Sequence, residues 1–179
     1  MSWSSRIRRR WRQAPAPTGA DHDADPGAPP PGTPADQPVP LARDRLARWM
    51  SDNDLTFFVD NDGDVGSLWR GRVFYFLLFG QHEEILQVRG HWQREGTIER
   101  LSEILEFCNT WNTDRIWPKA YVRVRDDGHV HVVGEVAVDF EHGANDDQLD
   151  QTLNCGLATG TMLFDALDQR YPDPVGLAP

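Results

Sequence analysis

Lysine is nearly missing from this 179-residue chain: Lys119 is its one example, against seventeen arginines, an imbalance of coding composition that decides nothing about chemistry. Cysteine is almost as scarce. Cys108 and Cys155 both fall inside amphipathic helical patterns, where a free thiol behaves as a small buried hydrophobe, so a disulfide framework is not expected. No apolar run approaches the roughly 20 residues of a membrane span. The basic start is followed by Ala, Pro and Asp instead of the apolar stretch of a signal peptide, and the expected address is the cytoplasm. The signatures of nucleophilic, phosphate-cradling and zinc-protease chemistry are missing too: there is no G-x-S-x-G, C-x-x-C, G-x-x-x-x-G-K or H-E-x-x-H. The expectation is a protein without a catalytic constellation and without a cofactor.

What is present is acid. The net charge is -10 and the pI about 4.9, which argues against a nucleic-acid surface on the folded part, since phosphate binding needs a concentrated positive face. The charge is uneven. Arg6, Arg8, Arg9, Arg10 and Arg12 stand at the start with no acid among residues 1–13, which leaves -15 on the remainder. From Ala14 to Pro40 the chain is Pro, Ala, Gly and Asp with almost nothing large enough to bury, and it cannot recover its ordering entropy. Residues 1–40 therefore read as a disordered, arginine-tipped arm, and residues 175–179 as a disordered tail. The five arginines, with Trp3 and Trp11, suit weak contact with an anionic membrane; the alternative is a solvated tail.

Order is expected from Leu41. Leu41, Arg45 and Trp49, with Leu46 and Met50, are spaced as a helix behind Pro40. Beta-branched and aromatic runs then predict strands over Thr56–Asp60, Val65–Trp69, Val73–Phe79 and Ile85–His91, separated by Asn61-Asp62-Gly63, Arg70-Gly71 and Gly80-Gln81-His82. Thr97 is placed to N-cap a second helix whose apolar face is Ile98, Leu101, Ile104, Leu105, Cys108 and Trp111. Strands at Ala120–Arg125 and Val130–Asp139 flank the turn Asp126-Asp127-Gly128. The last helix runs from about Asp146 to Arg170 on the stripe Leu149, Leu153, Leu157, Phe164 and Leu167, and Pro172 and Pro174 end it. The order α-β-β-β(-β)-α-β-β-α without βαβ alternation predicts an α+β fold, with an antiparallel sheet of about five to six strands and three helices on one face.

Two candidate metal sites are weak. In Asp60-Asn61-Asp62-Gly63-Asp64 the spacing fails as a calcium loop, because Gly63 in the sixth position puts Phe58 first and Trp69 twelfth; a tight hairpin turn is the better reading. His129 and His131 share one face of a strand, followed by Glu141 and His142, but no further ligand stands at a convincing spacing, and a metal-dependent sensor is the alternative to a surface pair. No metal ligand is assigned.

The better candidate is a protein partner. In Val73–Phe79 both parities are apolar, so a sheet with helices on one face leaves the other to be covered by something. Gly156 and Gly160 lie inside the last helix, where each glycine costs about 0.8–1 kcal/mol against alanine; close approach is the compensating reason, either to the domain's own sheet or to a second chain. Phe74, Phe76, Leu78, Gly156 and Gly160 are the expected partner or homodimer face.

The turn Asp60–Asp64, the stretch FCNTWN at Phe107–Asn112, WPKAYV at Trp117–Val122 and the DDG turn at Asp126–Gly128 resemble a bacterial YbjN domain of the actinobacterial type, over about Leu41–Pro174. The resemblance implies a fold similar to type III secretion chaperones, which commonly dimerise and hold partner segments. It also implies a role in sensory transduction or stress regulation, and no catalytic residues. Within FCNTWN, Trp111 extends a helix face and the asparagines Asn109 and Asn112 are suited to backbone groups at the helix end. Trp117-Pro118 implies an extended entry into the next strand.

Overall fold

The computed structural model describes residues 37–172. The arm arginines Arg6, Arg8, Arg9, Arg10 and Arg12, and with them the membrane expectation, lie outside the described residues, as does the tail 175–179.

The elements are α1 (Arg43–Asp52), β1 (Phe57–Val59), β2 (Val65–Trp69), β3 (Arg72–Phe79), β4 (Ile85–His91), β5 (Gly96–Thr97), α2 (Leu101–Asp114, entered through a 3-10 turn at Ile98–Arg100), β6 (Lys119–Val124), β7 (His129–Asp139) and α3 (Asp146–Arg170). The α+β fold is as expected, with one more strand than the five to six read from sequence: β5 is two residues long, too short to leave a periodic signal. Every strand pairing is antiparallel, in the order β1-β2-β3-β4-β7-β6, with β5 prolonging the β4 side of β7.

The three helices collect on one face. There α3 runs across β4 and β7, α2 lies on β6, and α1 on β2. The whole predicted stripe of α3 is buried, and Asn145 and Gln148 close its start as a reciprocal capping box. The face of α2 is narrower than its sequence suggests. Ile104, Cys108 and Trp111 are buried, whereas Ile98 and Leu105 are exposed, because the 3-10 turn shifts Ile98 off the helical stripe. Thr97 precedes that turn, not the α-helix, and its side chain makes no capping bond to the backbone.

The domain is tied to its N-terminal connection just ahead of α1. Val39 pairs with Ala144 through N···O distances of 3.1 and 3.0 Å. The guanidinium of Arg45, turned inward by its helical position, donates to the carbonyls of Val39, Pro40 and Ala144 and to Asp146. The Trp117–Pro118 peptide is cis. No helix among the described residues is long and apolar enough to cross a membrane.

The expected partner face is corrected here. Phe74, Phe76 and Leu78 point toward the helices and are buried in the core. Gly156 and Gly160 face the sheet of the same domain: a Cβ on Gly156 would sit 2.6 Å from Cβ of Val88, and one on Gly160 2.6 Å from the ring of Phe74. The glycines let α3 approach its own sheet, and none of the five residues is open to a second chain. Because side chains alternate along a strand, the parity over which no described helix lies is the other one.

Candidate interaction surface

The alternate residues of each strand form the outer face, over which no described helix lies. Register fixes its layout. Val73, Tyr75, Leu77 and Phe79 of β3 stand beside His91, Arg89, Gln87 and Ile85 of β4, and these beside Val133, Glu135, Ala137 and Asp139 of β7. Beyond β7, Tyr121 lies opposite Val133, Lys119 opposite Glu135, and Arg123 opposite His131.

The half of this face built from β1 to β3 is apolar. Phe58, Leu68, Val73 and Phe79 are 42, 56, 38 and 44% exposed. Leu77, by contrast, is buried. Phe58 lies over Gly66, its cross-strand partner, where any side chain would collide with the ring. It meets Tyr75 edge-to-face, with centroids 5.8 Å apart and planes at 89°, the arrangement favoured by the ring quadrupoles. The patch is therefore ordered by its own packing while its outer surface stays open.

The half built from β4, β7 and β6 is polar and mostly cationic. Glu135 accepts a 2.8 Å hydrogen bond from the Tyr121 hydroxyl and lies 3.6 Å from Nε of Arg89. Burial, reinforced by the bond to Glu135, pushes the Tyr121 phenol above its usual range. His91 is held below the ordinary imidazole range by burial first and then by the nearby charges of Arg89, Arg123 and His131. Arg123 lies over the Tyr121 ring at 5.8 Å. Among the described residues, neither Lys119 nor Arg123 has a carboxylate within ion-pair distance.

The structure brings His129 and His131 together around Glu95, with His131 Nε2 3.3 Å and His129 Nε2 3.7 Å from its carboxylate oxygens; His129 Nδ1 also lies 3.1 Å from Asp127. Glu141 and His142 follow the opposite end of β7 and do not join them. No group of three or more His, Cys, Asp or Glu is placed to hold a metal ion among the described residues. In the acidic turn, Asp60 Oδ1 accepts from the backbone N–H groups of Asp62 and Asp64, so this carboxylate shapes the hairpin, with Gly63 at φ 83°. Burial and the charges of Asp60 and Asp62 raise the Asp64 carboxyl. Both cysteines are free thiols. Burial pushes Cys108 up to about 11 and raises Cys155 as well, which disfavours the thiolate that nucleophilic chemistry requires.

Sequence reasoning found that both faces of β3 are apolar, named the inward one as the open face, and missed the cationic cluster. Arg89, His91, Lys119, Tyr121, Arg123, His131 and Glu135 come from three strands, and strand register alone assembles them.

The fold has known counterparts. The crystal structure of YbjN, described as "a putative transcription regulator from E. coli", superposes with a TM-score of 0.65 at 15% identity, covering 75% of this chain and 96% of that one. An uncharacterized protein from Methanothermobacter thermautotrophicus matches with a TM-score of 0.53 at 8% identity, over 73% of this chain and 99% of its own. No curated protein matches the sequence. The model of the YbjN family, described as "Putative bacterial sensory transduction regulator", matches residues 42–169. With most of its length matched by that model, the chain belongs to the YbjN family.

Proposed function

We propose that this domain is a non-catalytic protein-interaction module of a regulatory system, holding a segment of a partner protein, in the manner of a chaperone, on the outer face of its sheet. The observation that carries the reading is the apolar half of that face: Phe58 against Tyr75, and Leu68 beside Val73, stand exposed on an ordered sheet, with Phe79 exposed farther along β3 on the same face. Contiguous apolar surface of this kind is costly to leave in water and marks interaction sites. The family description supports a regulatory setting. In this reading the module works in the cytoplasm, and a second copy of the chain is one form its partner can take.

The test is photocrosslinking in the native host, with benzoylphenylalanine at Leu68 and, as a control, at Asn154, which is exposed on α3. A reproducible protein adduct at position 68 that is missing at 154 supports the reading, and mass spectrometry identifies the partner. Adducts that are equal at both positions, or none at 68, overturn it.

A further inference from the structure

The outer face is divided by strand: apolar on β1 to β3, cationic on β4 to β6. The cations there stand out against the rest of the body. Residues outside the arginine-rich start carry a net -15, and many of the described arginines are already committed: Arg43 to Glu83, Arg45 to Asp146, Arg72 to Asp165 and Asp168, Arg94 to Asp168, Arg170 to Glu103. Lys119 and Arg123 are exposed and without a carboxylate partner among the described residues. Arg89 Nε lies 3.6 Å from Glu135 and His131 Nε2 3.3 Å from Glu95; both atoms are buried, and neither contact has hydrogen-bond geometry. Three carboxylates share this half: Glu135 is already held by Tyr121 and Arg89, Glu95 by the two histidines, and Asp139 stands exposed at the far end of β7, opposite Ile85.

Resting on the outer-face reading above, we propose that the segment this face accepts is amphipathic and acidic: its apolar side chains cover Phe58, Leu68, Val73 and Phe79, and carboxylates along one flank meet Arg89, Lys119 and Arg123. Neighbouring strands are about 4.8 Å apart, so Arg89 on β4 stands one strand from the β3 apolar column, and Lys119 and Arg123 on β6 stand about three strands from it. A helix about 10–12 Å across, laid along β3 with its apolar stripe down, carries its flank over Arg89; Lys119 and Arg123 meet that flank by extending their long side chains across β7. Complementary charge of this kind fixes register and raises association rate more than it adds raw affinity.

The test uses the full chain and two short fluorescein-labelled amphipathic peptides with the same leucine stripe, one flanked by glutamate and the other by lysine at the same positions. Fluorescence anisotropy is expected to show the glutamate peptide binding about tenfold more tightly. The double variant Lys119→Glu with Arg123→Glu is expected to reverse that preference while its urea midpoint stays at the wild-type value, since both side chains are exposed. Equal binding of the two peptides, a preference for lysine, binding of neither, or a glutamate preference that survives the double reversal each overturns the proposal. The last outcome would place the binding on other cations, such as Arg6 to Arg12. Crosslinking at Leu68 judges the outer face independently, so a failed charge preference and a failed surface are told apart.

Discussion

Gly160 of α3 and Phe74 of β3 are so close that a Cβ built on the glycine would lie 2.6 Å from the ring edge. The ring has little room to yield: it is buried, and it packs against Phe164 with centroids 5.9 Å apart. One turn earlier, Gly156 has the same relation to Val88, where the obstructing atoms are Cβ and both methyls, fixed to the strand backbone. Alanine would gain about 1 kcal/mol of helix propensity at each position, but overpacking a core costs about 1–3 kcal/mol. Gly156→Ala and Gly160→Ala are therefore both expected to destabilise, Gly156→Ala more, because a valine Cβ cannot swing aside as a ring edge can. Urea unfolding measures both. In a Phe74→Leu background the cost of Gly160→Ala should shrink, and additive costs would show that the contact is not the cause.

Asp168, near the end of α3, joins the helix to two strands. It accepts 2.7 and 2.8 Å hydrogen bonds from Arg72 of β3 and Trp92, the residue after β4, with Arg94 at 3.4 Å. Arg72 also reaches Asp165. Hydrogen bonds to a charged group contribute about 1.5–3 kcal/mol each in favourable settings, and partial exposure of Asp168 places the total toward the lower figure. Asp168→Ala should cost about 2 kcal/mol of unfolding free energy, and Asp168→Asn less, since its amide oxygen still accepts from Trp92. An alanine variant with wild-type stability would remove Asp168 from the set of groups holding α3 to the sheet.

Wherever one period dominates, the fold was legible in the sequence. The stripe of α3 repeats over the whole element, and β7 alternates valine and glycine inward against His129, His131 and Glu135 outward, as the structure has it. In β3 the signal fails because both parities are apolar, so the strand is evident and its buried side is not. Phe74 and Phe76 were expected on the wrong face for that reason. The cationic half of the outer face depends on which residue of β4 meets which of β7 and β6, and pairing over such separations leaves no local trace. Asn112 belongs to the same class. At the helix end it was expected to serve nearby helical groups, yet it reaches the backbone of a different element.

That residue supports a test of its own. The Asn112 side chain donates to the Ala120 carbonyl and accepts from the Ala120 N–H, both at 2.8 Å, so its amide pairs with an inward-facing residue of the edge strand β6 as a neighbouring strand would. Asn112→Ala leaves a backbone donor and an acceptor without partners in a part-buried setting, at about 1–3 kcal/mol. Asn112→Asp keeps the acceptor but sets a carboxylate oxygen against the Ala120 carbonyl, and should cost as much or more. Hydrogen exchange at the Ala120 amide reads this locally: it should accelerate in both variants. Unchanged exchange in both would show that the pairing is not formed in solution.

The outer face also makes stability depend on pH through His91. Burial, Arg89, Arg123 and His131 hold its imidazole below the ordinary value of 6.5. Above that value the residue is neutral whether the chain is folded or not, and the domain carries no penalty. As pH falls below it, the unfolded chain binds a proton that the folded one resists, so stability declines until the folded group titrates too. Asp64 acts with the opposite sign, because its carboxyl is raised, but its window lies near the carboxylate range. His91→Gln removes the histidine contribution and leaves every other group in place. Chemical unfolding between about pH 7.5 and 5.5 should therefore show the wild type losing stability relative to this variant as the solution is acidified. Parallel profiles would mean that His91 protonates as readily in the folded protein as in the unfolded chain, and that the cations around it are screened by water.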